Sequence, residues 1–318
     1  MKIVTIGELL VDLTQTGADI NGIPQYSANP GGAPANVAVA ASLMGAETAF
    51  IGKVGNDSFG KVLTDTLLSK NVDIIGIVLD DVNPTTLAVV SLDTKGDRSF
   101  SFYRNGSADV MLAEKEVNTK IIDECDILHF GSVSLTDEPS ASAIRFAVEY
   151  AKNAGKIISY DPNYRPLLWN DEKRAIAEMR SLLKFVNIIK VSDEEALLLT
   201  DEETAESAAR KLHSEGISIV LVTMGEKGAY YYTEYANGFV PAFTGKVADT
   251  NGAGDTFLGT FLTFADSFYS LVKNENGVLQ KAVSFSCAAA GFSTRKSGAI
   301  PSMPARSEVE EFISHYHK

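Results

Sequence analysis

Cysteine, histidine and tryptophan are scarce in this chain of 318 residues, which has two, four and one of them respectively. Cys125 and Cys287 lie far apart in apolar surroundings, which excludes a CxxC metal site and a disulfide framework and points to a reducing cytoplasm. His129, His213, His315 and His317 show no HExxH spacing, so a zinc-hydrolase reading has no anchor. A GxSxG nucleophile elbow is also missing, and with it serine hydrolysis. Positive charge is short: 28 basic against 41 acidic residues give a formal charge of −13. Nonspecific attraction to nucleic acid or to an anionic membrane is thereby disfavoured, and any anionic ligand must be met by local groups. Long hydrophobic runs are absent as well, since the best stretches, 37–46 and 285–292, are too short to span a bilayer. The start, Met1-Lys2-Ile3-Val4-Thr5-Ile6-Gly7-Glu8, turns acidic too early for a secretory signal and reads as a first buried strand.

What the chain does contain is a regular alternation. Short apolar runs at 3–6, 48–51, 127–130, 156–160, 188–191 and 219–223 are separated by helical patterns such as 35–43, 140–153, 171–183 and 204–214. This predicts a parallel sheet with helices on both faces, with ligands gathered at the carboxyl ends of its strands. Residues 85–92 and 98–104, rich in β-branched and aromatic side chains, flank the turn-forming cluster 93–97 and predict an antiparallel hairpin outside that sheet. It suits a flap over a site, an edge extension or a subunit contact. Residues 15–29, without helical periodicity, are placed to add strands to it. A second hairpin is expected across residues 230–243, with Asn237-Gly238 as its tight turn.

Two glycine-rich entries to helices carry the chemistry. In the first, Gly31-Gly32-Ala33-Pro34-Ala35-Asn36, paired glycines bring backbone close to a ligand and Asn36 offers a donor and an acceptor, which suits neutral hydroxyls; a close helix-strand packing turn explains the glycines equally simply. The second, Asp249-Thr250-Asn251-Gly252-Ala253-Gly254-Asp255, precedes an apolar helix. Gly252, Ala253 and Gly254 present unsatisfied N–H groups at the positive end of that helix, an anion cradle, and Asp255 stands where a base would be needed. Asp255 is equally a favoured helix cap. Neither GxxxxGK[ST] nor a GxGxxG after the first strand occurs, so a P-loop or dinucleotide site is not indicated.

These two entries, in this order and spacing, resemble the two motifs of the PfkB, or ribokinase-like, family of carbohydrate kinases, over residues 3–304. Gly7-Glu8-Leu9-Leu10-Val11-Asp12, Phe102-Tyr103-Arg104-Asn105-Gly106-Ser107-Ala108-Asp109 and Tyr160-Asp161-Pro162-Asn163-Tyr164-Arg165 are most similar to the fructose-phosphorylating members. The resemblance implies one kinase domain over 1–318, with a three-layer α/β/α core, a mainly parallel sheet and a small β-sheet lid formed by about 12–30 and 85–110. It implies ATP as phosphoryl donor and fructose as acceptor, with 2-keto-3-deoxygluconate as the alternative sugar and a noncatalytic binding paralogue as the remote one. Asp255 becomes the base and Gly252 to Gly254 the anion hole. Asp12, Gly31, Gly32 and Asn36 would hold the sugar, joined by Arg104, which would swing in on the lid, and by Asn163 and Arg165. Thr223, Gly225 and Gly228 would meet the nucleotide. Glu195 would organise Mg2+-bound water, with Ser192 replacing the family's asparagine, and Asp249 would border a monovalent-cation site, K+. A homodimer through the lid is expected, and no nucleic-acid or membrane partner.

Overall fold

The computed structural model describes residues 1–92, 98–243 and 245–316; the expected turn 93–97 and His317 lie outside them. Thirteen strands form two sheets: β1 (Lys2–Ile6), β2 (Leu10–Ala18), β3 (Pro24–Gly31), β4 (Glu47–Gly55), β5 (Val72–Asp80), β6 (Leu87–Leu92), β7 (Arg98–Tyr103), β8 (Ile127–Gly131), β9 (Ile157–Asp161), β10 (Ile188–Ser192), β11 (Ile219–Thr223), β12 (Gly228–Tyr232) and β13 (Asn237–Pro241). The large sheet runs β13-β12-β11-β10-β9-β8-β1-β4-β5, parallel from β11 to β5 and closed by an antiparallel β11-β12-β13 edge. Its central strands are buried along their length, as parallel strands covered on both faces must be.

Eleven α-helices accompany the strands among the described residues. They are α1 (Ala33–Leu43), α2 (Ser58–Ser69), α3 (Thr119–Asp123), α4 (Ser140–Asn153), α5 (Glu172–Ser181), α6 (Asp193–Thr200), α7 (Ala205–Ser214), α8 (Ala253–Leu262), α9 (Phe268–Lys273), α10 (Val278–Ser293) and α11 (Arg306–Tyr316). Several starts are set by local chemistry: Asp57, Asp171 and Thr204 each accept from a backbone N–H three residues on. One face of the sheet packs Val4, Ile6, Leu128 and Ile158 with Ala147, Met179 and Leu212 from α4, α5 and α7. The opposite face packs Ile3, Ile127, Ile188 and Ile219 against Val37 of α1, Phe257 and Phe261 of α8 and Val283 of α10. The result is the three-layer α/β/α architecture expected.

The small sheet has the order β3-β2-β6-β7. β6 and β7 form the antiparallel hairpin, and β2 and β3 supply the further strands, β2 lying parallel to β6. Two details differ from expectation. Asn237-Gly238 is not the turn of the last hairpin: Asn237 already pairs with Tyr232, and the chain reverses through 233–236, where the Thr233 hydroxyl donates to Ala236 O and accepts from the N–H groups of Tyr235 and Ala236. Gly238 is explained instead by its cross-strand partner, since a Cβ there would lie 2.6 Å from the Tyr231 hydroxyl. The edge strand β5 was not foreseen. It is half exposed and slips register against β4 near Gly76, where a Cβ would meet Phe50 O at 2.6 Å.

Candidate active site

The loop before α8 is built around Asp249 and Gly252. Asp249 Oδ1 accepts from Asn251 N (3.0 Å) and Oδ2 from Gly298 N (3.1 Å), tying the loop to 298–299. Gly252 caps the helix at φ 76°, in the left-handed region, and a Cβ on it would fall 2.7 Å from Ala299 Cβ, so only glycine fits. No side chain caps α8, and the N–H groups of Gly254 and Asp255 have no backbone acceptor among the described residues. An anion cradle is what such a helix start provides.

Asp255 is not the cap. It is the third residue of α8, 6 % exposed, and its two oxygens accept from Asn36 Nδ2 (2.8 Å) and Asn163 Nδ2 (3.1 Å). Burial, then the neighbouring Asp161 charge, push its pKa up to about 6; Asn36, Lys190 and Arg165 pull the other way. Its bond to Asn36 fixes the orientation of that amide and leaves Asn36 Oδ1 a buried acceptor without a partner, the kind of atom a ligand hydroxyl satisfies. Asn163 reaches Asp255 from a residue at φ 47°, a conformation asparagine tolerates, held by its own N–H on Asp161 Oδ1 (3.2 Å).

Sequence reasoning assigned no role to Asp161 or Lys190. They form a buried ion pair of 2.9 Å between the last residue of β9 and the middle of β10, and Lys190 Nζ lies 3.0 Å from the place of a Cβ on Gly254. Burial works against the Lys190 charge, but the Asp161 carboxylate outweighs it and raises the lysine above its ordinary pKa. The available signal was a charge inside an otherwise apolar strand, Ile188-Ile189-Lys190-Val191.

On the sugar side, Asp12 of β2 stands against Gly31, where a Cβ would lie 2.6 Å from Asp12 Oδ2. Burial raises Asp12 to about 6; the Asn251 amide and Arg165 hold it lower, and Asp249 pushes it higher. Gly32, at φ 111°, lies so close to Glu8 that a Cβ would be 2.4 Å from Glu8 O. Arg165 is exposed and donates to Tyr164 O (3.2 Å), and its charge acts on both Asp12 and Asp255. Arg104 differs from expectation. Rather than swinging on the lid it is 6 % exposed and anchored by Asp109 Oδ2 (2.7 Å), Thr136 Oγ1 (2.6 Å) and Val133 O (3.1 Å), because an arginine at a buried lid root must find acceptors.

Thr223 ends β11, and its hydroxyl donates to Val191 O (3.3 Å). Gly225 and Gly228 follow at φ 53° and 128°; Gly228 is also demanded by packing, since a Cβ would strike Val240 O at 2.0 Å. Glu195 accepts from Ser192 N (2.8 Å) and Tyr164 N (2.7 Å), and Ser192 Oγ accepts from Glu195 N (3.1 Å). The serine thus makes a capping box with Glu195, which also holds the loop carrying Asn163. No group of three or more His, Cys, Asp or Glu among the described residues is arranged to hold a metal ion.

A buried carboxylate beside an open helix start, at the carboxyl ends of a parallel sheet and under a small β-sheet, defines a phosphoryl-transferring enzyme of the α/β class. The chain belongs to the pfkB family of carbohydrate kinases, whose model matches residues 1–306. It is 41 % identical to fructokinase-2 of Solanum lycopersicum over 310 residues, 96 % of this chain and 94 % of the relative. It superposes on the ATP-bound fructokinase of Xylella fastidiosa with a TM-score of 0.92 at 32 % identity, covering 100 % of this chain and 99 % of the other. With the fructokinase of Vibrio cholerae O395 in its fructose, ADP and calcium-bound form the TM-score is 0.85 at 31 % identity, with 98 % of each chain covered. It is a sugar kinase by this kinship. No helix among the described residues is long and apolar enough to cross a membrane.

Proposed function

We infer that this chain transfers the γ-phosphoryl group of ATP to a hydroxymethyl oxygen of D-fructose, giving D-fructose 6-phosphate and ADP. The observation that carries the reading is Asp255, buried between Asn36 and Asn163 beside the unblocked start of α8. Asp255 accepts the hydroxyl proton as the sugar oxygen attacks phosphorus, and a pKa near 6 leaves it ionised yet a competent base at neutral pH. The N–H groups of Gly254 and Asp255, with Gly252 and Ala253 shaping the turn, stabilise charge on the moving phosphoryl group. Asp12, Asn36 and the Gly31-Gly32 backbone hold sugar hydroxyls, and Arg165 and Arg104 supply positive charge on the sugar side. Thr223 and the Gly225–Gly228 turn lie on the nucleotide side.

Bound Mg2+ would neutralise phosphate charge, and Glu195 would order part of its water shell. Asp249 and the backbone around 295–299 suit a K+ ion beside the cradle. The lid excludes water, so ATP hydrolysis without sugar is slow. Its exposed Ile20, Ile23, Tyr26 and Tyr103 support a homodimer through the lid, and the buried free thiols of Cys125 and Cys287 are in keeping with the cytoplasm. A coupled ADP-release assay over fructose, 2-keto-3-deoxygluconate, ribose and adenosine with MgATP tests the reading. Turnover with fructose is expected, and turnover with the sugar acid alone would replace the substrate while leaving the chemistry intact.

A further inference from the structure

Glu8 is almost wholly buried, 2 % exposed, yet it takes no part in the chemistry above. It follows β1 through Gly7 and sends its carboxylate between two elements. Oε1 accepts from Ala33 N (3.0 Å), the first N–H of α1, and Oε2 accepts from the Ser134 hydroxyl (3.1 Å). α1 needs this outside acceptor because its cap, Gly32, has no side chain to supply one. Gly32 also rests directly on the Glu8 carbonyl, so the entry to α1 is pinned by both the backbone and the side chain of one residue. That entry carries Gly31, Gly32 and Asn36.

Ser134 belongs to the short turn Val133–Leu135, on which the lid root also lands. Arg104 donates to Val133 O and Thr136 Oγ1 there and to Asp109 Oδ2, and Asp109 in turn accepts from the hydroxyl of Thr86, just before β6. Val11 N of β2 donates to Thr86 O (3.1 Å). A continuous buried polar chain therefore runs from the sugar loop through Glu8, Ser134 and Arg104 to the roots of lid strands β2, β6 and β7. Burial pushes Glu8 up to about 7, while its own N–H, Arg104 and the Ala33 N–H favour the ion and Asp109 opposes it. A carboxylate kept in so dry a place needs these donors to stay where they are.

We propose that Glu8 is a positioning residue that sets sugar affinity by holding the Gly31–Asn36 loop in register with the lid root. The proposal rests on the kinase reading, and the acceptor found for the parent enzyme is the one used for every variant, so failure of the fructose assignment is seen separately. Glu8→Ala removes the acceptor for Ala33 and Ser134, and KM for the sugar is expected to rise about tenfold, the loss of one or two buried hydrogen bonds. On the same argument kcat and KM for ATP stay within about threefold of the parent, because Asn163 still holds Asp255 and the ties of Asp249 still hold the α8 cradle. Glu8→Gln keeps both bonds, its carbonyl accepting from Ala33 and its amide donating to Ser134 Oγ, and restores the sugar KM to within about twofold. Ser134→Ala, which removes only one donor, raises the sugar KM about threefold and serves if Glu8→Ala does not fold. An unchanged sugar KM in Glu8→Ala, or in Ser134→Ala where that variant replaces it, overturns the proposal. So does a parallel loss in kcat and both KM values, or failure of Glu8→Gln to rescue.

Discussion

Replacing Asp255 by asparagine separates chemistry from stability in a way the geometry quantifies. The carboxyl titrates near 6 in the folded protein against an ordinary 3.8, chiefly because it is buried. A raised carboxyl pKa means stability present below about pH 4 and lost as pH rises through 6, which amounts to on the order of 3 kcal/mol at pH 8. A side-chain amide at this position cannot ionise and escapes that loss. Against this, its NH2 group must face one of the two donors, Asn36 Nδ2 or Asn163 Nδ2, at a cost of about 1–3 kcal/mol. The variant should therefore be as stable as the parent, or up to about 2 kcal/mol more so, near pH 8, with the comparison shifting toward the parent as pH falls toward 5. Its kcat should drop by roughly a hundredfold to ten-thousandfold, the loss expected for a removed general base. Urea melts at both pH values and steady-state ADP release at saturating fructose and ATP measure the two halves. A folded, ATP-binding variant turning over within about tenfold of the parent would refute Asp255 as the base. A clear destabilisation at about pH 8 would refute the claim that the site stores an ionisation cost.

Three further outcomes follow from the same geometry. Because burial raises Asp12 and Asp255 both to about 6, kcat/KM for fructose should fall below that pH with a slope approaching two protons, whereas kcat with sugar bound should follow Asp255 with a slope of one; a pH-rate profile with its limb near pH 4 would contradict the burial argument. Lys190→Met strands Asp161 as a buried charge and should cost about 3–5 kcal/mol in chemical denaturation, much of it recovered by adding Asp161→Leu, while turnover stays low in the double variant because Asn163 loses its anchor. A loss under about 1 kcal/mol would mean the pair is not dry. Light scattering at micromolar protein should give the mass of a dimer, and Ile20→Asp with Ile23→Asp should shift it to monomer; a monomeric parent counts against lid-to-lid assembly.

Strand and helix positions were legible wherever one physical signal dominated. The buried parallel strands read as short apolar runs because both faces are covered, and α4 was predicted at its observed bounds, Ser140–Asn153, because its apolar positions recur at helical spacing. Edges were harder: β5 is half exposed and irregular, and the last hairpin turns through a threonine-centred hydrogen-bond set that overrides the Asn237-Gly238 signal. The glycine entries at 31–32 and 252–254 were visible because glycine is demanded where backbones touch, as the contacts of Gly32 with Glu8 and Gly252 with Ala299 bear out.

By itself, the order of residues determined an α/β chain with an antiparallel hairpin outside the main sheet, two glycine-rich helix entries, and a carboxylate following the second. Only the tertiary structure decided what surrounds that carboxylate. Asn36, Asn163 and Lys190 are separated from Asp255 by 219, 92 and 65 positions in the sequence, yet two of them bond to it and the third lies within reach of its charge. Local sequence fixes dihedral preferences and burial tendencies, but the pairing of buried polar groups is settled when distant elements pack and each donor must find an acceptor away from water. That same requirement anchors the buried Arg104 on Asp109, Thr136 and Val133 and gave Glu8 a place in the molecule that its neighbours in sequence do not reveal.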